Sequence, residues 1–585
     1  MTTSTLHKGG EWLTTDVAAE AVFTPERLSD EHRLAGQTAQ EFVTKEVLPA
    51  LPELERKNWT LARTLIQRAG DLGLLGIDVP EALGGVALDK AASIVVGEIV
   101  GTSASFATTF GAQTGLAIIP ILCFGTDAQQ RAYLPRIVTG ELIGAYCLSE
   151  SVSGSDALGA RARATLQPDG SWRLNGEKLW ITNGGFADLF IVFAKVDGEQ
   201  FSAFIVERGF KGVASGKEEH KMGLRGSSTT PMLLTDAEVP ARNLLGEIGK
   251  GHKIAFNVLN YGRFKLAAMC SGGAKFVVAE AAKYATSRRQ FGQPIAAFGA
   301  IRHKIAEMTL RTYAIESALY RTAGLIDGAS GSAAHAAAAL EEFAVEASAL
   351  KVAASEMLDY VVDENVQIHG GNGFVEDYPA ERHFRDARVN RIFEGTNEIN
   401  RLLVPGMLIK RALKGGVPIV AAAKRLQDEL LGPAAQPAAE SDDPLVNARR
   451  TVGCLKKTAL MAVGLALQKY GESIQQEQEI LMLLADIIID VFVTESAVLR
   501  AEQTAGARHA TASLQADAAA VGAHDAGLRA DAAARTLIAA VAAGDAQRTA
   551  LAALRRFLKV APLDTIAARR RIADAAIARR AYLFG

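Results

Sequence analysis

Apolar residues recur with the spacing of helices in the first quarter of the chain and again over most of its second half. Ser29 is a candidate cap for a first helix, in which Leu34 and Phe42 occupy apolar positions. Residues 59–72 form a second helical stretch, which Gly73 would end. The pattern therefore predicts a helical region that extends to about residue 145.

The pattern changes near Tyr146, where shorter apolar runs begin. Residues 189–194 and 201–206 have the length of strands and are rich in β-branched and aromatic side chains. The dipeptides at 169–170 (DG) and 175–176 (NG) are typical of hairpin turns. We therefore expect antiparallel strands in this part of the chain.

Long alanine-rich helical patterns follow the strands, and a Pro- and Asp-rich stretch interrupts them. The fold class predicted is a multidomain α+β protein. Its parts are an α-helical N-terminal domain (1–145), an antiparallel β middle domain (146–250), a four-helix-bundle-like C-terminal α domain (251–431), a linker (432–444) and an accessory α-helical domain (445–585).

Composition narrows the class of protein. The 585 residues carry a net charge of −2, which gives no electrostatic case for binding nucleic acid. Four distant cysteines, without a CxxC pair, favour neither a disulfide framework nor a zinc site, and no HExxH spacing indicates a metal. The start lacks an apolar signal region, and the apolar run 116–124 is too short to span a bilayer. We expect a cytoplasmic protein.

The most unusual stretch is residues 391–397 (RIFEGTN), where a carboxylate follows two large apolar residues and precedes a glycine. Burial among apolar groups raises the pKa of a carboxyl and makes it a better base near neutral pH. Glu394 is therefore a candidate base, and Gly395 would let a ligand approach the backbone. From these residues alone, a solvated loop glutamate that caps the next helix is an equal alternative.

Four other stretches carry candidate chemistry. Residues 146–156 form a hydroxyl-rich loop, and residues 180–185 place a Trp beside hydroxyl and amide groups. Residues 288–292 pair cations with an aromatic, and residues 367–374 are rich in glycine. Taken singly, the first stretch is better explained as a polar surface loop, Trp180 is a candidate core residue, and a basic helix end explains residues 288–292 equally well.

Together and in this order, the five stretches resemble the acyl-CoA dehydrogenase family over roughly residues 10–415. Residues 9–16, residues 260–264 and the long C-terminal extension are similar to its very-long-chain branch. The resemblance implies that Glu394 removes the α-proton of an acyl-CoA and that hydride passes to FAD. The expected reaction is the conversion of long or very-long-chain fatty acyl-CoA to trans-2-enoyl-CoA in β-oxidation.

The resemblance also implies the ligand contacts. Residues expected to hold FAD, some of them from a neighbouring subunit, are Tyr146, Leu148, Ser149, Gly154, Ser155, Trp180, Ile181, Thr182, Arg288, Gln290, Phe291, Phe298, Gln367, Gly370, Gly371, Thr396 and Glu398. Residues expected along the substrate are Ser155, Tyr261, Arg263 and Gly395. Some relatives carry the base beside the residue matching Arg263, but Gly262 stands there, so Glu394 is the sole candidate.

Two positions depart from the family pattern. Ser151 stands where many relatives have Pro, and Ser149 replaces the commoner Thr while keeping a hydroxyl. The expected partners are an electron-transfer flavoprotein and a second copy of the chain in a homodimer. An acyl-CoA oxidase that uses oxygen, or a mainly non-catalytic assembly flavoprotein, remain alternatives. The basic C-terminal end could contact a membrane, although a helix face within a dimer-stabilising domain is the favoured interpretation.

Overall fold

The structure is a computed structural model that describes residues 8–330, 336–431 and 441–585. Within these residues the chain forms nineteen α-helices, in the order α1 (Asp30–Phe42), α2 (Leu48–Glu55), α3 (Trp59–Asp71), α4 (Lys90–Val100), α5 (Ala104–Gly111), α6 (Ile118–Phe124), α7 (Asp127–Val138), α8 (Gly251–Ser287), α9 (Gly299–Ser330), α10 (Ala336–Glu342), α11 (Ala344–His369), α12 (Ala380–Ala387), α13 (Asn397–Leu413), α14 (Ile419–Leu431), α15 (Pro444–Tyr470), α16 (Gln478–Gly506), α17 (Ala512–Val541), α18 (Gly544–Phe557) and α19 (Thr565–Arg579).

The N-terminal helices begin and end where the sequence indicated. Ser29 caps α1, since its Oγ accepts a hydrogen bond from the backbone N–H of His32 and the His32 side chain accepts from the backbone N–H of Ser29. Gly73 follows α3 with a φ of +74°, a conformation that glycine adopts without strain. Leu34, expected on the apolar face, is exposed instead. The predicted helical N-terminal part is confirmed.

The strands of the described residues lie in an eight-stranded sheet and a two-stranded hairpin. They are β1 (Gly144–Cys147), β2 (Arg163–Leu166), β3 (Trp172–Thr182), β4 (Leu189–Val196), β5 (Gln200–Glu207), β6 (Val213–Ser215), β7 (Thr229–Val239), β8 (Leu244–Leu245), β9 (Arg289–Gln290) and β10 (Gln293–Pro294). The large sheet has the order β6-β7-β3-β2-β4-β5-β8, with β1 beside β4.

The sheet is mixed, where only antiparallel strands were expected. Both β1 and β2 run parallel to β4, and the other pairs are antiparallel. The predicted turn at Asn175 and Gly176 is wrong, because both residues lie inside β3. Gly176 has a φ of +149°, and a Cβ there would come within 2.8 Å of the Cβ of Ala162, the residue directly before β2. The glycine therefore allows close packing inside the sheet.

The second helical region holds the long helices that frame the site. Helix α8 packs along α11 and α9, and α13 packs on α11. The three helices α15, α16 and α17 pack on one another, and α16 and α19 also contact α9. Residues 432–440 of the predicted linker lie outside the described residues.

Buried ion pairs join the C-terminal helices to the rest of the protein. The Arg500 guanidinium binds Glu26 and Glu316 and donates to the carbonyl oxygen of Phe584. Tyr582 donates to the same carboxylate of Glu316 at 2.8 Å. The end of the chain is thus anchored between α9 and α16.

One helical stretch of the described residues, Ala104–Phe124, has the length and mean hydropathy of a membrane span. It is longer than the apolar run seen in the sequence because α5, a π-helical turn and α6 are continuous. About four-fifths of its most apolar window, 78%, is buried inside the protein. That burial fits a core helix, and its inner face forms one wall of the cavity described below.

Candidate active site

Glu394 lies in a tight turn before α13. Its φ is +56° and that of Gly395 is +79°, so two successive residues adopt the left-handed conformation. A non-glycine residue held there costs about 1 kcal/mol or more, so neighbouring contacts must stabilise it. The buried Asn400 amide supplies them, because its Nδ2 lies 3.3, 2.8 and 3.1 Å from the carbonyl oxygens of Glu394, Gly395 and Thr396.

Two buried cations support this turn from below. Arg263 on α8 donates from Nε to the carbonyl oxygen of Glu394 at 3.1 Å. Lys351 on α11 donates from Nζ to Oδ1 of Asn397, the first residue of α13, at 2.7 Å. The α8 side chain therefore holds the backbone of the candidate base, and the α11 side chain holds the start of α13.

The carboxylate of Glu394 rests over Gly262 of α8. A Cβ built on Gly262 would come within 2.5 Å of Oε2 of Glu394. That oxygen is buried and has no hydrogen-bond partner among the described residues. Gly262 therefore makes room for the base, and the unpaired oxygen is available to a ligand in the cavity.

Burial and nearby positive charges have opposite effects on the pKa of Glu394. Burial raises the pKa of Glu394 from 4.5 to about 7, while the positive charges of Arg263 and Lys351 oppose that rise. Of the two apolar residues that precede Glu394, Ile392 is 52% exposed. The apolar surroundings of the carboxyl therefore come from the cavity and not from both of these residues. A carboxyl with this pKa is suited to accept a proton near neutral pH.

Glu394 lines a cavity of about 760 Å³, a volume that includes the open mouth. Small residues of the helical stretch through α5 and the π-turn form one wall, and α8 forms the other. The lining residues are Gly101, Ala104, Ala107, Thr108, Gly111, Ala112, Gly115, Leu116, Thr182, Leu224, Gly262, Lys265, Leu266, Met269, Cys270, Leu358, Asn390, Phe393 and Glu394. The cavity is mainly apolar apart from the two charged side chains, Lys265 and Glu394.

Several predicted cofactor contacts meet beside this cavity. Thr182 lines it, and the buried Tyr146 hydroxyl has no partner among the described residues. Trp180, at the end of β3, has a φ of +57° and is 60% exposed. Ser149 is adjacent, because its carbonyl oxygen accepts from the N–H of Leu179 at 2.9 Å. The structure therefore brings the two middle-domain stretches to one face near Glu394.

The other predicted contacts form a second cluster at the end of α8. Tyr284 links its two stretches, donating to the carbonyl oxygen of His369 at 3.2 Å and accepting from Asn372 at 3.0 Å. Phe291 in this cluster is 93% exposed, and its ring lies 5.9 Å from that of Phe298. The exposed members also include Arg288, Gln290, Gln367, Gly370 and Gly371.

Family models match the chain in four segments. They are the acyl-CoA dehydrogenase N-terminal domain at 29–141, the middle domain at 145–237, and two C-terminal domain models at 249–407 and 454–556. A probable acyl-CoA dehydrogenase of Bacillus subtilis is 46% identical over 578 residues, which are 97% of each chain. The chain belongs to the acyl-CoA dehydrogenase family. It is an oxidoreductase that acts on the CH–CH group.

Two further relatives support this assignment. The crystal structure of an acyl-CoA dehydrogenase from Bacillus anthracis, complexed with FAD, is 46% identical, covers 98% of this chain and 100% of its own, and has a TM-score of 0.97. The human mitochondrial very long-chain specific acyl-CoA dehydrogenase is 41% identical over 367 residues, which are 61% of this chain and 53% of the human protein.

The residues present fit FAD, the cofactor of acyl-CoA dehydrogenases. The unpartnered Tyr146 hydroxyl and the exposed Trp180 ring leave a polar and an aromatic group for a planar ring system. The exposed cations and glycines of the second cluster suit a pyrophosphate. Two predicted contacts need restating, since the side chains of Leu148 and Ile181 are buried in the core and could contribute only through backbone atoms.

Two of the predicted substrate contacts, Tyr261 and Arg263, have buried side chains. Tyr261 is completely buried, and its hydroxyl donates to Asp78 at 2.8 Å, so it does not face a ligand. Arg263 is buried as well and supports the turn of Glu394.

Gly154, Ser155 and Glu398 are exposed, and Thr396 accepts from Ile399 as the cap of α13. These last positions remain predictions.

Sequence reasoning missed three buried polar residues at the site. Asn400 and Lys351 hold the turn, and Lys265 lines the cavity. The signal for Lys351 was a single charge inside an apolar helical run, Leu350-Lys351-Val352. Such a residue is usually placed on a solvent face, and only its burial shows otherwise.

Proposed function

We propose that this protein is an FAD-dependent dehydrogenase of long-chain fatty acyl-CoA, with Glu394 as the base. The observation that carries the proposal is the carboxylate of Glu394, with an unpaired Oε2 and a pKa of about 7, in the lining of a mainly apolar cavity. The product would be a trans-2-enoyl-CoA.

The chain's own residues would act on the α-carbon of the thioester. Glu394 would accept the α-proton on Oε2, the oxygen that no protein group occupies. The Asn400 amide and the Arg263 guanidinium fix the backbone behind it, so the carboxylate does not need to reorganise. An acyl tail in the cavity would expel water and strengthen electrostatic effects at the thioester. Bound FAD, held by the residues beside Trp180, would supply the hydride acceptor.

A long tail is supported by the shape of the cavity. Its α8 wall extends from Gly262 to Cys270, which at 1.5 Å per residue is about 12 Å beyond the base. Most residues of the opposite wall are glycine or alanine, and such small side chains suit an apolar tail. The similarity to very long-chain specific enzymes points in the same direction. The electron acceptor proposed is an electron-transfer flavoprotein, the partner that the family resemblance implies.

A homodimer is proposed from the distance between the two cofactor clusters. Gly262 lies under the base, whereas α8 ends at Ser287, 25 residues later and about 37 Å along the helix axis. One FAD molecule is much shorter than this separation. The cluster around Phe291, which is almost fully exposed, would therefore complete the FAD site of a second copy of the chain.

The C-terminal helices would serve to stabilise the body of the protein. Arg569 pairs with Glu307 of α9 at 2.6 Å, and Arg571 pairs with Asp517 at 2.6 Å. These arginines are committed to contacts within the chain, which supports a structural role over membrane contact. The cytoplasm, the compartment expected, stays a prediction.

The test is anaerobic reduction of the purified flavoprotein by acyl-CoAs of increasing length. We expect loss of the oxidised flavin absorbance, fastest with long chains, and formation of enoyl-CoA. Glu394→Gln should keep FAD and bind acyl-CoA but reduce the rate by orders of magnitude. A flavin-loaded protein that no acyl-CoA reduces would contradict the function, and near-normal turnover in the variant would contradict the role of Glu394.

A further inference from the structure

Met269 and Cys270 are the last two residues that α8 contributes to the lining of the cavity at Glu394. Met269 lies seven residues after Gly262, which is two helical turns and about 10 Å along the axis, so both residues lie on the same face of α8. Cys270 is buried, whereas Met269 is half-buried. Met269 is therefore the more accessible of the two residues at the far end of this wall.

The side chain of Met269 extends to the opposite wall of the cavity. A Cβ built on Gly111, the last residue of α5, would lie 2.8 Å from Cε and 3.7 Å from Sδ of Met269. Gly111 lines the cavity as well. The terminal methyl group of Met269 therefore packs against the facing helix, at a position where glycine leaves room for it.

The backbone around Met269 is tightly packed. A Cβ on Gly101, which follows α4, would overlap the carbonyl oxygen of Met269. Three residues further along α8, a Cβ on Gly272 would overlap the carbonyl oxygen of Glu98 on α4. Because these contacts hold α8 against the end of α4, the room at this level depends on the side chain of Met269 and not on a shift of the helix.

We propose that Met269 is a specificity-determining residue, whose side chain forms the far end of the acyl site and sets the longest tail that fits. Methionine is unbranched and flexible, so a longer tail would displace it at a cost. The inference rests on the proposed acyl-CoA dehydrogenase function and concerns the length of its substrate. In a shorter side chain, the atoms removed from Met269 would themselves provide the room for further carbons.

The test measures kcat/KM for straight-chain saturated acyl-CoAs in steps of two carbons. The reference length is the first, above the optimum, at which the wild-type value falls to a tenth or less of its maximum. In Met269→Ala, kcat/KM at this length should rise about tenfold or more relative to the wild-type optimum, because one methylene group in an apolar pocket is worth about 10-fold or more. Gly111→Ala, which narrows the same level from the other wall, should move the fall to shorter tails.

Two controls separate volume from general damage. Met269→Leu is similar in volume and should keep the wild-type ratio within about threefold. Met461 is another half-buried methionine, within α15 and outside the lining of the cavity, so Met461→Ala should also keep that ratio. Flavin content and the thermal midpoint would be measured for every variant.

A wild-type kcat/KM that does not fall up to a tail of twenty carbons would overturn the inference. Wild-type ratios in a folded, flavin-loaded Met269→Ala protein, or an equal rise in Met269→Leu or Met461→Ala, would overturn it as well. If the alanine variant does not fold, Met269→Val, which also lacks Sδ and Cε, takes its place under the same criteria. Failure of the wild-type protein to oxidise any acyl-CoA would instead refute the proposed function, and this inference with it.

Discussion

The position of the base can be tested without removing it, by the substitution Gly262→Ala. The added Cβ would lie 2.5 Å from Oε2, 2.7 Å from Cδ and 3.0 Å from Oε1 of Glu394, whereas ordinary contacts begin at 3.4 Å. The nearest oxygen must therefore move by about 0.9 Å. Displacement of a catalytic group by about 1 Å can cost about 100-fold in rate.

We expect kcat of Gly262→Ala to fall by about two orders of magnitude while the FAD content stays normal. The substitution should not destabilise α8 itself, because alanine inside a helix is more favourable than glycine by about 1 kcal/mol. Steady-state turnover, flavin content and the thermal midpoint would be measured on the same preparation. Gly453→Ala is the matched control, since that glycine lies within α15 and an added Cβ meets no atom within 4 Å.

A Gly262→Ala protein that keeps more than about a third of wild-type kcat would refute the reasoning. Either the carboxylate would not lie over α8, or it would not be the group that takes the proton. A loss of activity accompanied by loss of FAD would mean that the added methyl group disturbs the fold and not only the base. The flavin content therefore decides how the rate is interpreted.

Two further predictions concern the charge of the base. Burial raises the pKa of Glu394 to about 7, and only the carboxylate accepts a proton, so kcat/KM should fall as pH decreases through about 7. One pH unit below that pKa, kcat/KM should be roughly a tenth of its value at high pH. A profile that is flat from pH 5.5 to 8.5 would contradict this. Lys351→Met removes a cation that lowers the pKa of Glu394, so the acidic limb should move to higher pH, and Lys351→Arg should restore it. Arg263, Tyr146 and Glu398 also lie near Glu394 or Lys351, and they are the same in both variants. If the acidic limb of the pH profile does not move in Lys351→Met, the electrostatic role of Lys351 is contradicted.

Much of the fold could be predicted because it depends on neighbours in sequence. The order of helical, sheet and helical parts follows from apolar periodicity, and the start of α1 follows from a cap three residues away from its partner. The parallel pairing of β1 with β4 could not be predicted from the same patterns, because it joins strands that are more than forty residues apart. The glycine at 176 was misread because a packing contact, and not a turn, requires it.

The sequence by itself determined the family, the candidate base and the expectation of a raised pKa, since the motifs around Glu394 are local. Only the tertiary structure decided which groups act on that base. Gly262 and Lys351 approach it from α8 and α11, and Tyr261 is withdrawn into the core. The physical reason is that burial and charge at a site depend on segments that meet only when the chain folds, whereas periodicity and capping depend on residues within one or two turns.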